Sequence, residues 1–483
     1  MAAPGTFSRD WPRKFMDMRL DLIIPILILL VGAVATLVIG IFLPRERQTL
    51  NAWLALGVMG LAAGAVFWQL ASRAPQMAFS GSFAADTPAL WTLLIVLLGA
   101  AGTAVLAMPV FRNDAREAEF YTLLLFATLG GALLAGAADV MEILLGVLLI
   151  SVGSYPLVAY RRTDQLALEA VLKYYLIGAL ANIGLIYGLI LLYGLSGSTL
   201  LGDLGALSPD NRLALALTVA LVVGGLGFKG GYVPGHFWVP DTYQGTTVPV
   251  AAFLATLPKV VALLALTRLL AALPAVLDWT PVVAAVAAVT MTWGNLAAFP
   301  QKDVRRLLGY SSISQSGYLL MGVVALPASS LALPGLLVFF AAYVLGNLGA
   351  FAVLAASGAR EIDDLRGLMR QRPGLALAMA VSLLSFMGLP PLAGFMAKFL
   401  LFTATVEAGY TWLTVLALAN SVASLYYYLR VIGPMVVGDG DGKVWSIEPG
   451  GRMLALTAGG SLVVLGVLVF LPLDWSQGMR LLP

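Results

Sequence analysis

Apolar runs of about twenty residues recur along the whole chain, beginning near Leu22, Ala52, Leu90, Phe120, Val140, Ala170, Leu213, Val248, Pro281, Leu307, Leu333, Leu375, Trp412 and Leu454. A helix rises about 1.5 Å per residue, so each run can cross the roughly 30 Å hydrocarbon layer of a bilayer. Within lipid, backbone polar groups find no water, and a segment that spans alone must satisfy them internally as a helix. The pattern therefore predicts an all-α membrane protein of about fourteen transmembrane helices in one polytopic unit. Composition agrees: 60% of residues are hydrophobic and 11% charged, against about a quarter charged in a soluble domain. The first run, Leu22 to Leu43, is longer than a signal-peptide core and ends in Pro44-Arg45 with no small-residue cleavage pattern, so it reads as an uncleaved first helix.

The polar inventory narrows the chemistry. With no cysteine, this chain carries no disulfide, thiolate metal site, iron-sulfur cluster or cysteine nucleophile. A single histidine, His236, excludes a multi-histidine zinc or haem centre. Any redox cofactor is expected on another chain. The net charge of +3 is small and dispersed, which speaks against nucleic acid as a partner.

Fourteen spans put both termini on one side. Loops after odd-numbered spans hold Arg45, Arg47, Arg112, Arg116, Arg161, Arg162, Lys302, Arg305, Arg306, Arg360, Arg366, Arg370, Arg372, Lys443 and Arg452. Those after even-numbered spans hold Arg73, Arg212 and Arg268. The positive-inside rule places the first set in the cytoplasm and the termini outside, against the contrary vote of Arg9, Arg13, Lys14 and Arg19 in the N-terminal tail.

Two spans are interrupted in the same manner, five spans apart. Span 7 runs into Gly230-Gly231-Tyr232-Val233-Pro234-Gly235, and span 12 into Gly388-Leu389-Pro390-Pro391-Leu392-Ala393-Gly394. Such breaks free backbone groups that lipid cannot satisfy, so they persist where protein or a wet cavity surrounds them. Matching broken helices in two halves point to inverted repeats with an ion or substrate site between them, although a plain proline kink gives the same string.

Charges inside the spans weigh most, because a lysine at the bilayer centre costs about 2.5 to 3.5 kcal/mol on insertion scales. Lys229 precedes the first break, Lys398 follows the second, and Lys259 follows Pro258 in span 8. A lysine taken out of water is suited to proton transfer, since its charged and neutral forms come close in free energy; the alternative is a lysine that only ties helices together or snorkels to an interface. His236, the one side chain with an unperturbed pKa near physiological pH, reads equally as a relay or as a cap on loop backbone. Glu142, near the start of span 5, is a candidate relay or an interfacial carboxylate beside Asp139. Lys173 lies four residues after Glu169, and a local pair accounts for it. Arg430, after Tyr426-Tyr427-Tyr428-Leu429, reads as an interfacial anchor.

Several strings resemble the antiporter-like membrane subunits of respiratory complex I, and most of all those of the subunit N type: LEAVLKYYLIG (168–178) followed by LYGLSGS (192–198), GFKGGYVPGHFWVPDTYQGTTVPVAAFLATLPK (227–259), RRLLGYSSISQSGYL (305–319), YVLGNLGAFAVL (343–354), GLPPLAGFMAKF (388–399) and NSVASLYYYLRV (420–431). They cover roughly Phe120 to Pro434. The resemblance implies N-terminal helices 1–3 in residues 1–118, inverted five-helix repeats in 119–272 (helices 4–8) and 279–436 (helices 9–13), and helix 14 in 437–483, with helices 7 and 12 discontinuous. It implies proton translocation coupled to quinone reduction in an NADH:quinone oxidoreductase, with Lys229 the central lysine of one half-channel, Lys259 the connecting lysine and Lys398 the lysine of the second. It further implies that NAD, FMN, iron-sulfur clusters and quinone sit on partner subunits of a membrane arm, in a bacterial plasma membrane. A subunit of a cation/proton antiporter or membrane-bound hydrogenase, or a spacer with reduced transport, would share the pattern. This chain departs from the family at two positions. Leu148 occupies the place of a helix 5 glutamate that pairs with the helix 7 lysine, and Glu142, six residues earlier, lies about 9 Å along the helix and about 120° around it. Gln315 stands where subunit N usually has histidine.

Overall fold

The computed structural model of the protein describes residues 18–72, 74–112, 114, 116–161, 164–206, 212–274, 277–438, 449–469 and 480–482. Among the expectations above, the charges Arg9, Arg13, Lys14, Arg73, Arg162 and Lys443 lie outside the described residues. The apolar runs become α1 (Ile24–Phe42), α2 (Leu50–Ser72), α3 (Thr87–Phe111), α4 (Glu117–Gly136), α5 (Val140–Val158), α6 (Gln165–Ser196), α7 (Arg212–Gly230), α8 (Trp238–Gly245), α9 (Val248–Ala272), α10 (Thr280–Ala298), α11 (Val304–Ala325), α12 (Ala332–Ser357), α13 (Leu368–Gln371), α14 (Pro373–Met387), α15 (Ala393–Glu407), α16 (Thr411–Val437) and α17 (Pro449–Val469).

Aspartates set four of the helix starts. Asp86, Asp139, Asp164 and Asp303 accept from the main-chain nitrogens of Ala89 (2.9 Å), Met141 (2.7 Å), Leu166 (3.0 Å) and Arg306 (2.9 Å), satisfying donors that the first turn leaves free. Prolines in the first turn open α1, α3, α9, α10 and α14, where a missing N–H costs nothing.

Twelve helices among the described residues are long and apolar enough to cross a membrane. The expectation of fourteen also counted α11 and the broken pair α14–α15, which are not among these twelve. The pair escapes because each half has only 15 residues. α11 has length enough at 22 residues but carries a run of hydroxyl and amide side chains that lowers its hydropathy.

Helices α9 and α12 form the interior, with 100% and 94% of their most apolar stretches buried, whereas the same measure is 28% for α6 and 39% for α1. A helix apolar on all sides belongs in the centre of such a bundle. The neighbours also repeat. In the order α4, α5, α6, α7/α8, α9, the first helix packs on the second and the fifth, the second on the third, and both halves of the broken helix on the third and fifth; α10, α11, α12, α14/α15 and α16 pack on one another in the same way. Bare glycines make the first crossing of each unit close. A Cβ on Gly130 of α4 would stand 2.9 Å from the Gly146 carbonyl of α5, and one on Gly294 of α10 only 2.5 Å from the Ser314 nitrogen of α11.

A short hairpin of β1 (Gln76–Ala78) and β2 (Phe83–Ala85), pairing Met77 with Ala84, joins α2 to α3. Beside it lies a buried ion pair. Arg268 was expected in a loop; it instead falls inside α9, where it is 3% exposed, reaches Asp86 at 2.5 Å and donates to the Ala135 carbonyl at 3.0 Å. Asp86 also accepts from the Leu482 nitrogen at 3.0 Å, so the C-terminal residues are tied to the start of α3.

Candidate functional site

All three intramembrane lysines are buried: Lys229 and Lys259 are 0% exposed and Lys398 is 4% exposed. None of them forms an ion pair among the described residues. Lys229 stands one residue from the end of α7, inside a cage of aromatic rings. Its Nζ is 5.2 to 5.3 Å from the ring centres of Phe228, Tyr155 and Tyr174, and it donates to the Tyr174 hydroxyl at 3.3 Å. Tyr174 in turn meets Ser154 at 2.9 Å, and Asn182 donates to Ser151 at 3.4 Å. Ring faces attract an ammonium and hydroxyls accept from it, yet neither neutralises its charge.

Lys259 crosses from α9 to α11 and donates to the Ser312 hydroxyl. That hydroxyl also meets Tyr343 of α12 at 2.5 Å and Tyr243 of α8 at 3.2 Å, so one serine joins four helices. One turn on, Ser316 donates to the Gly230 carbonyl at 2.7 Å. Trp238 donates to the Phe228 carbonyl at 2.8 Å. These bonds occupy carbonyls that the end of α7 leaves open. The ring of Trp238 packs 4.7 Å from Tyr174 and 5.3 Å from Phe228, forming an aromatic wall between the Lys229 and Lys259 clusters.

Lys398, in the first turns of α15, donates to the Met387 carbonyl at 3.2 Å and to Ser421 at 3.1 Å, with the Tyr318 ring centre 4.1 Å away. Gln315 of α11 donates to the adjacent Phe386 carbonyl at 3.0 Å and approaches the Tyr428 hydroxyl at 3.4 Å. Tyr428 meets Ser311 at 2.6 Å. Polar side chains of α11 thus run from Lys259 at Ser312, through Gln315, to Tyr318, whose hydroxyl accepts from Ser421 at 3.2 Å. This explains the low hydropathy of α11, whose Ser311, Ser312, Ser314, Gln315 and Ser316 are at most 2% exposed.

Other candidates are placed apart. His236 sits in the break between α7 and α8, 4% exposed, against Phe237 and Trp293, and neither ring nitrogen meets a hydrogen-bonding partner at normal geometry. Glu142, in the first turn of α5, lies nine to thirteen residues before Ser151–Tyr155, where α5 meets the Lys229 cluster, so it is about 13 Å or more from it along the helix. Lys173 pairs with Glu169 at 2.6 Å as its spacing predicts. It also reaches Asp241 at 2.7 Å, and Asp241 binds Arg306. That second pairing spans 68 residues and has no local signature. Arg430 donates to the Phe299 carbonyl and, at 3.4 Å, to that of Gln301, its guanidinium 5.8 Å from the Tyr426 ring centre. No group of three or more His, Asp or Glu side chains converges on a metal-sized site among the described residues.

Residues 137–424 match the NADH:quinone oxidoreductase/Mrp antiporter transmembrane family. The chain belongs to that family. Its relatives include NADH-quinone oxidoreductase subunit N 1 of Streptomyces griseus subsp. griseus, 42% identical over 452 residues that cover 92% of this chain and 95% of that protein. Subunit N of Trichlorobacter lovleyi is 37% identical over 481 residues, 96% of this chain and 97% of that protein. Among solved structures, a chain of respiratory complex I from Thermus thermophilus is 36% identical, with a TM-score of 0.81 over 93% of this chain and 98% of that one. A chain of the Mrp complex from Dietzia shares the fold at 22% identity, with a TM-score of 0.82 over 95% of this chain and 97% of that one. Leu148, where the resemblance leads one to expect a glutamate, stands 36% exposed on α5, three residues before Ser151 and seven before Tyr155, on the same side of the helix.

Proposed function

We propose that this multi-pass membrane protein is a proton-translocating membrane-arm subunit of an NADH:quinone oxidoreductase, complex I or a close relative. The observation that carries the reading is the set of three buried lysines, none with a carboxylate partner among the described residues, of which Lys259 and Lys398 meet α11 at Ser312 and Tyr318, on either side of Gln315. The names of the relatives at 37 and 42% identity support it. Lys229 receives and releases protons in the first five-helix unit (119–272), Lys259 hands them across to the second (279–436), and Lys398 discharges them. Ser312, Gln315 and Tyr428 carry the transfer between the last two. His236 serves as an accessory group at the first break, and Glu142 as a carboxylate at the far end of α5. The helices of residues 1–118 and 437–483 flank these units.

On this reading NAD, FMN, iron-sulfur clusters and quinone reside on partner subunits, and electron transfer there supplies the work. Moving one proton against 100 mV takes about 2.3 kcal/mol, which this chain has no chemistry to provide. The setting is a bacterial plasma membrane, with the arginine-rich loops inside and both termini outside. Purifying the native complex, identifying its subunits by mass and assaying NADH-driven quinone reduction with proton uptake in vesicles tests this. Flavin and iron-sulfur subunits are expected; a complex of membrane proteins alone would favour a cation/proton antiporter.

A further inference from the structure

Two buried amides stand beside the Lys398 cluster and have no part in the transfer path described so far. Asn295 of α10 is 1% exposed and Asn420 of α16 is 6% exposed. The Asn295 nitrogen donates to the main-chain carbonyl and to the side-chain oxygen of Asn420, both at 2.9 Å and across 125 residues of sequence. Its oxygen accepts from Tyr427 at 2.9 Å. The Asn420 nitrogen donates to Thr292 at 3.1 Å and to the Leu416 carbonyl at 3.0 Å. Each nitrogen and each oxygen of the two amides is thus engaged, which leaves the pair one orientation and fixes α10 against this turn of α16. Polar pairs often join helices in lipid, so the residue that follows decides what this one is for. Ser421 comes directly after Asn420. Its hydroxyl accepts from Lys398 at 3.1 Å and donates to Tyr318 at 3.2 Å. The other bond of the lysine goes to a main-chain carbonyl, that of Met387.

We propose that Asn295 is a positioning residue for Lys398: its two bonds to Asn420 set the turn of α16 that aims the Ser421 hydroxyl at the lysine amine. The proposal rests on the proton-carrying role proposed above. Among the described residues Ser421 is the one side chain that hydrogen-bonds Lys398, so its placement decides whether the amine stays joined to Tyr318 and the polar side of α11. A hydroxyl accepts from the ammonium and donates to the neutral amine, and it serves both states only while it remains within bonding reach. Asn295 does not touch the lysine and, as an amide, has no proton to exchange at physiological pH. Its part is to hold α16 in register, which a proton-carrying group in the same place would do less well, since its own bonds would change with its charge.

The test measures protons taken up per electron by the native complex in sealed vesicles, normalised to quinone reduction in leaky ones, and expresses each loss relative to that of Lys398→Ala. Asn295→Leu, which fills the space but donates nothing, should produce about half of that loss or more. Asn295→Ser, whose hydroxyl falls short of Asn420, should do the same and serves if the leucine variant does not assemble. Thr292→Val removes a different bond from the same pair of amides and leaves the Asn295 donors in place. It should lower the melting temperature of the complex as the Asn295 variants do, yet keep the ratio of protons to electrons. Adding Asn295→Leu to Ser421→Ala should deepen the loss of the serine variant no further, because both act on one contact. Normal pumping in an assembled Asn295 variant overturns the proposal, as does an equal loss in Thr292→Val or a loss that deepens in the double variant. If Lys398→Ala also pumps normally, the proton-carrying reading itself falls.

Discussion

Gly231 and Lys259 share one small space: a Cβ built on Gly231 would lie 2.7 Å from Lys259 Nζ, and the backbone there has φ +66°. The second break repeats the relation, with Gly388 at φ +90° and its Cβ position 3.1 Å from Lys398 Cδ. A glycine with left-handed backbone lets each broken helix turn beside a lysine without a side chain in the way.

Gly231→Ala therefore meets two obstacles, a left-handed backbone that costs about 1 to 2 kcal/mol and the amine of Lys259. It should push that amine from Ser312 and lower proton translocation in vesicles more than it lowers electron transfer. An unchanged ratio of the two would mean that the contact between Lys259 and Ser312 carries nothing.

Arg268 and Asp86 form a buried pair between α9 and α3, 182 residues apart, so removing one partner strands the other. Arg268→Leu should destabilise the assembled complex by about 3 to 5 kcal/mol, and Asp86→Leu with Arg268→Leu should recover part of it. Thermal unfolding of the purified complex measures both. Recovery is partial because Asp86 also caps α3 and holds the Leu482 nitrogen.

Gln315 holds the Phe386 carbonyl, next to the carbonyl held by Lys398. Gln315→Leu leaves that acceptor and Tyr428 short of a donor, at about 1 to 3 kcal/mol. It should reduce proton translocation, whereas Gln315→His, with a donor of similar reach, should retain most of it. Proton uptake per electron in vesicles separates the two variants.

Asp241 binds both Lys173 and Arg306 at a partly exposed site. Asp241→Asn should lower stability by about 1 kcal/mol or less for each pair lost, with a smaller effect at high salt. Melting temperatures at low and high ionic strength check this.

Local chemistry made much of this architecture legible in the sequence. Apolar runs gave span starts within a few residues of the observed helices, because lipid enforces length and composition segment by segment. Gly-Pro strings marked both interruptions, and the cost of an intramembrane charge singled out Lys229, Lys259 and Lys398. Contacts between distant segments were not legible. Nothing near Lys229 in sequence names Tyr174, and nothing near Arg268 names Asp86. The hydroxyls of α11 have meaning only once Lys259, Tyr343 and Tyr428 stand around them. The β1–β2 hairpin gave no strand signal, since three-residue strands are too short for an alternating pattern.

The most direct measurement is the number of protons taken up per electron by the native complex in sealed vesicles, with Lys229→Ala or Lys398→Ala in this chain. The account predicts that either replacement lowers that number while the assembled complex still reduces quinone when the membrane is made leaky. An unaltered number of protons per electron in either variant would contradict it.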